Sequence, residues 1–153
     1  KVEEIKEPVE FFDPINLGST NQMSNLKIEA RFADCGEWGG HKEEIIISSD
    51  TKENIYATYN IYPFNCDSLD IYYGKRDILP TNSRKILLTD KTKKSIVEYI
   101  YRMAQSKISE RFPGHVGNSF SIVNTDSSLY IRVYDNKEFD VTSFRQLVTE
   151  LIK

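Results

Sequence analysis

Apolar and polar residues alternate with period two along the first ordered-looking stretch, where Leu26, Ile28, Ala30 and Phe32 interleave with Lys27, Glu29 and Arg31. Such alternation marks a half-buried strand. The same parity returns at Ile45 and Ile47, and again at Ile55, Ala57, Tyr59 and Ile61 against Tyr56, Thr58, Asn60 and Tyr62. It predicts strands over 26–34, 43–49 and 55–62, with Pro63 near a strand end. Shorter extended runs follow at 69–73 and 84–88, and a hairpin is predicted from 120–124 and 129–133, joined by Thr125, Asp126, Ser127 and Ser128.

The period changes to three and four at Ile96, Val97, Ile100, Ala104 and Ile108, with Lys91, Glu98, Arg102 and Gln105 opposite. This predicts an amphipathic helix, capped by Thr89 or Asp90 and stopped at Pro113 and Gly114. A second helix, capped by Asp140, carries the stripe Val141, Phe144, Leu147, Val148, Leu151 and Ile152. The element order predicts an α+β fold, an antiparallel sheet of about five to seven strands with two amphipathic helices packed on one face.

Length and charge refine this. A chain of 153 residues suits one domain with one core. Residues 1–24 lack sustained periodicity and read as an acidic leader or tether that docks through Phe11 and Phe12, ahead of a single domain over 25–153. The leader holds two lysines against five carboxylates, a net of −3, which accounts for the whole formal charge of the chain. The body is therefore neutral, which argues against nucleic acid as a partner, because phosphate binding needs a concentrated basic surface. No stretch approaches the roughly eighteen apolar residues of a membrane span.

The chemically unusual side chains crowd into one loop, DCGEWGGHKEE at 34–44, which carries three of the seven glycines, the only tryptophan and one of each pair of cysteines and histidines. Its glycines permit a sharp turn, so the loop caps a hairpin. If the first three strands form a meander, Cys35, His41 and Cys66 come to one end of the sheet. Three fates fit that placement: a Cys35–Cys66 disulfide, two buried thiols, or a metal site made of Cys35, His41 and Cys66, which lacks the usual CxxC spacing. A thiol enzyme pairing Cys35 with His41 or His115 needs an activating base in place. Adjacent Glu43 and Glu44 point to opposite faces of a strand and read as solvated. Trp38 either folds back as a lid on the core, the commoner arrangement, or stands out as a binding anchor with Glu37 and His41 beside it. GEWGG lacks the lysine and following helix of a phosphate cradle, and no motif asks for a cofactor.

The leader KVEEIKEPVE, followed by a body rich in Lys, Ile, Asn and Tyr, resembles the mature part of small bacterial lipoproteins of uncharacterised function. The resemblance covers the leader and general style, and it lacks the lipidated cysteine. It implies a domain of the cell envelope or periplasm whose contact with a membrane runs through an N-terminal lipid anchor, with a cytoplasmic domain as the alternative. The expected function is a non-catalytic binding or interaction domain for a protein or small-molecule ligand. The alternative is a small hydrolase or metal-dependent enzyme using Cys35, Glu37 and His41.

Overall fold

The computed structural model describes residues 25–50, 54–67, 79–110, 117–125, 127–134 and 138–153. The leader with Phe11 and Phe12, the run at 69–73, the Pro113–Gly114 stop and His115 lie outside the described residues. Six strands form one antiparallel sheet: β1 (Leu26–Arg31), β2 (Lys42–Ser49), β3 (Ile55–Tyr62), β4 (Asn82–Leu87), β5 (Ser119–Asn124) and β6 (Tyr130–Tyr134). Their order across the sheet is β4-β3-β2-β1-β5-β6. Two helices, α1 (Asp90–Ser109) and α2 (Phe139–Ile152), pack against the sheet, giving the expected α+β fold.

Parity decides which side chains meet the helices. Ile28 lies opposite Ile45 on one side and Ile122 on the other, and Ile45 lies opposite Tyr59. Leu26, Ile47 and Ala57 repeat the alignment one pleat away, so the apolar members of the central strands share a face. Phe144 of α2 joins the layers, with its ring 6.1 Å from Tyr99, 6.2 Å from Phe32 and 6.0 Å from Phe120.

Both helices differ from expectation in detail. Thr89 caps α1, with its hydroxyl accepting from Thr92 N while Thr92 Oγ1 accepts from Thr89 N at 2.8 Å, a reciprocal box. The buried stripe is Ile96, Tyr99, Ile100 and Met103, whereas Ile108 is 86% exposed, contrary to the sequence reading. At about 100° per residue, Ile108 lies roughly 120° around the helix from Ile96. A stripe read through Val97, Ala104 and Ile108 therefore drifts off the face that touches the sheet. In α2, Asp140 is not the cap. Glu138 takes that position with φ 63°, and Asp140, one residue inside the helix, is buried and accepts from Ser106 Oγ of α1 at 2.6 Å. The helix starts two residues earlier than read, which places the Asp140 carboxylate in its first turn, within reach of Ser106 of α1.

Candidate functional site

The loop between β1 and β2 is built from its glycines outward. A short 3-10 turn, Gly36–Trp38, sits at its tip, and Gly36 and Gly39 hold φ of 63° and 93°, which side chains disfavour. At Gly40 a Cβ would strike the Phe32 carbonyl oxygen and stand 2.5 Å from Asp34 N, so the chain crosses itself there only because the residue is glycine. The neck is closed by Phe32 N donating to the His41 carbonyl at 3.0 Å and Cys35 N donating to the Gly39 carbonyl at 2.8 Å.

Cys35 follows β1 and Cys66 follows β3, and the two are joined in a disulfide across the end of β2, with Cα atoms 5.6 Å apart. Regular strands one and three would hold them about 10 Å apart. The bond forms because both cysteines lie beyond the last ladder pair, where the chain is free to converge. This corrects the metal reading of Cys35, His41 and Cys66, since a sulfur in a disulfide is not a thiolate donor. Among the described residues no three His, Cys, Asp or Glu side chains stand close enough to hold a metal ion.

His41 is drawn into a different cluster. Its Nδ1 is hydrogen-bonded to Asp34 Oδ2, which also accepts from His41 N at 2.7 Å, and its Nε2 lies 3.0 Å from Glu43 Oε1. A carboxylate oxygen thus stands at each ring nitrogen. The ring stacks on Phe32 at 4.4 Å with planes 7° apart. Burial alone would raise the Asp34 carboxyl, but the His41 backbone N–H and imidazole hold it below the ordinary value.

Glu43 is the surprise of the cluster. It is only 3% exposed, on the helix-facing side of β2. Arg145 of α2 donates to both its oxygens, at 2.8 and 2.9 Å, and Tyr59 donates to Oε2 at 2.5 Å. Arg145 also lies over the Phe32 ring at 4.6 Å. Burial, then the hydrogen bond to Glu43, pushes the Tyr59 phenol far above its ordinary range. Asp34, His41, Glu43, Tyr59 and Arg145 thus lace the loop, the sheet and α2 together. Sequence reading missed this network, although the signal was present: Glu43 shares strand parity with Ile45 and Ile47, and a carboxylate on the core face must be paired.

Glu37 and Trp38 stand apart from it. Trp38 is 59% exposed, so the indole is not a lid on the core. Glu37 is exposed on the same turn, and among the described residues no hydrogen bond ties it to His41. The structure therefore gathers Cys35 with Cys66, and His41 with Asp34 and Glu43, but not the trio Cys35, Glu37 and His41. No family model matches the chain, and no curated protein matches it.

Proposed function

We propose that the chain is a non-catalytic recognition domain that meets its partner through the Trp38 end of the sheet. The observation that carries this is an exposed indole on a loop fixed at its base by the disulfide and the Asp34–His41 lock. Fixing the loop in advance lowers the ordering cost of binding, and tryptophan is enriched among residues that dominate interfaces. A small hydrolase using Cys35, Glu37 and His41 has less support, because both sulfurs are bonded and both imidazole nitrogens face carboxylates. The disulfide favours an oxidising compartment, in keeping with an envelope or periplasmic domain tethered by its acidic leader.

Screening wild-type protein and Trp38→Ala side by side on arrayed peptides tests the reading. The expected result is a peptide hit weakened at least about 10-fold in the variant while the melting temperature stays within a few degrees. Hits that survive the substitution unchanged would move recognition elsewhere, and turnover of an ester or peptide substrate abolished by His41→Ala would support the enzyme instead.

A further inference from the structure

The sheet face away from the helices carries a polar cleft of about 270 Å³ lined by Glu29, Arg31, Ser119, Ser121, Tyr130 and Arg132. Register explains why these six meet. Glu29 lies opposite Ser121, and Ser121 opposite Arg132, forming one row across β1, β5 and β6, with Arg31 and Ser119 paired in the next row. At about 4.8 Å between strands, the row spans roughly 10 Å, room for one ring and its substituents.

The cleft combines three chemistries. Arg31 donates through Nε to Glu29 Oε1 at 2.6 Å, which engages one edge of its guanidinium and leaves the Nη pair for a ligand oxygen. Arg132 rests over the Tyr134 ring at 5.3 Å, which steadies a second guanidinium at the other end. Between them lie the Ser119 and Ser121 hydroxyls and the Glu29 carboxylate, an acceptor for hydroxyl hydrogens. Burial alone would raise Glu29, but Arg31 and Lys27 hold it below its ordinary value, so it remains ionised. Tyr130, 63% exposed, adds an aromatic plane.

The surrounding charge agrees. Among the described strand residues, Lys27, Arg31, Lys42, Lys85 and Arg132 share this face with the carboxylates Glu29 and Glu44, a net of +3, with Asp50 at the edge beside Tyr56, on a chain whose formal net charge is −3. A bare polyanion would be repelled by Glu29 at the end of the row, and a neutral sugar would leave the Arg132 guanidinium without a carboxylate among the described residues. We propose that the cleft binds a carboxylate-bearing sugar, its carboxylate on Arg132, its hydroxyls on Arg31, Glu29 and the two serines, and its apolar ring face on Tyr130. Guanidinium forks match carboxylates in two-point contact, and aromatic rings cover the apolar faces of flat ligands. The site belongs to β1, β5 and β6, not to the 34–44 loop, so it stands or falls independently of Trp38.

Titration of amide-labelled protein at pH 7 with glucuronate, glucose, acetate and inorganic phosphate, followed by two-dimensional NMR, tests this. Glucuronate is expected to give saturable shifts at Ser119, Ser121 and Arg132, with the other three binding at least about 10-fold more weakly. Arg132→Ala and Tyr130→Ala should each weaken glucuronate by roughly 10-fold, the size of one lost charge-assisted contact, and Trp38→Ala should leave it unchanged. Absence of saturable shifts, shifts confined to another surface, equal binding of glucose or phosphate, or insensitivity to both cleft substitutions would each overturn the proposal.

Discussion

Glu43 and Glu44 are neighbours in the chain and opposites in the fold. Each is nearly fully buried, 3% and 4% exposed, yet Glu43 faces the helices and Glu44 faces away from them. On the covered face, Glu43 is held by Arg145 of α2 and by the Tyr59 hydroxyl. On the open face, Glu44 is held by side chains of neighbouring strands: the Tyr62 hydroxyl, Asn60 Nδ2 at 3.3 Å, and the Lys27 and Lys42 ammonium groups at 3.3 and 3.6 Å. Lys42 in turn covers the Tyr62 ring at 4.1 Å. One face thus hides its charge beneath a helix, and the other builds a roof from long polar side chains, whose stems exclude water while their heads remain wet. The lesson is that, among the described residues, the cover over Glu44 comes from side chains of its own sheet.

The comparison predicts unequal costs. The largest belongs to the covered face, where Phe144→Ala should cost roughly 3 to 5 kcal/mol, because three aromatic neighbours cannot all close the cavity. Tyr62→Ala on the open face should cost about 1 kcal/mol in the same urea titrations, and a loss near that of Phe144→Ala would show that the roof is a second core. Next comes Glu43→Ala, expected at about 2 to 3 kcal/mol because it strands the buried Tyr59 hydroxyl and the Arg145 contact. Glu44→Ala should cost about 1 kcal/mol or less, since Lys27 and Lys42 can turn to water. Equal losses at Glu43 and Glu44 would break the distinction between the faces.

The smallest effect is in acid, and it belongs to the open face. Burial alone would raise Glu44, but the Tyr62 hydroxyl and the lysines Lys42 and Lys27 hold it below its ordinary value; Glu29 is lowered in the same sense, against its own burial, by Arg31 and Lys27. A carboxyl that ionises more readily in the folded chain stabilises it fully above the ordinary carboxylate range, and that contribution is lost as pH falls through the lowered folded value. Replacing Glu29 and Glu44 by glutamine should therefore flatten the loss of stability below about pH 4, as read by melting temperature against pH, with little change in slope at neutral pH. At the alkaline end, burial and then the Glu44 hydrogen bond push the Tyr62 phenol up to about 12. Its absorbance should then titrate later than that of an ordinary tyrosine.

What could be read from the chain follows the same division. Parity at Leu26, Ile28 and Ala30, and at Ile45 and Ile47, fixed the inward side of the strands, because period two is a property of the local backbone. Strand neighbours were not legible. Nothing in the β1 sequence says that its second partner is β5, since parity tells which residues face inward but not whose hydrogen bonds they meet. The 34–44 loop announced itself by composition, whereas the exposure of Trp38 is a matter of how the 36–38 turn is carried in three dimensions. Outward residues such as Arg31, Ser121 and Arg132 read as solvent-facing, and only register brings them into one cleft.

The β1–β5 seam has a kinetic consequence. Among the described strands every other adjacent pair joins consecutive ones, but at this seam Asn25 N donates to Thr125 Oγ1 at 2.9 Å across 100 positions. Loop-closure entropy grows with the chain enclosed, so this contact is the most expensive to form and sets a slow pace for folding. The disulfide closes only 31 positions, inside the meander and wholly on one side of the seam. It therefore raises the stability of strands that already find one another, while the search of β1 for β5 runs at nearly the same speed in oxidised and reduced chains, a comparison that stopped-flow refolding measures directly.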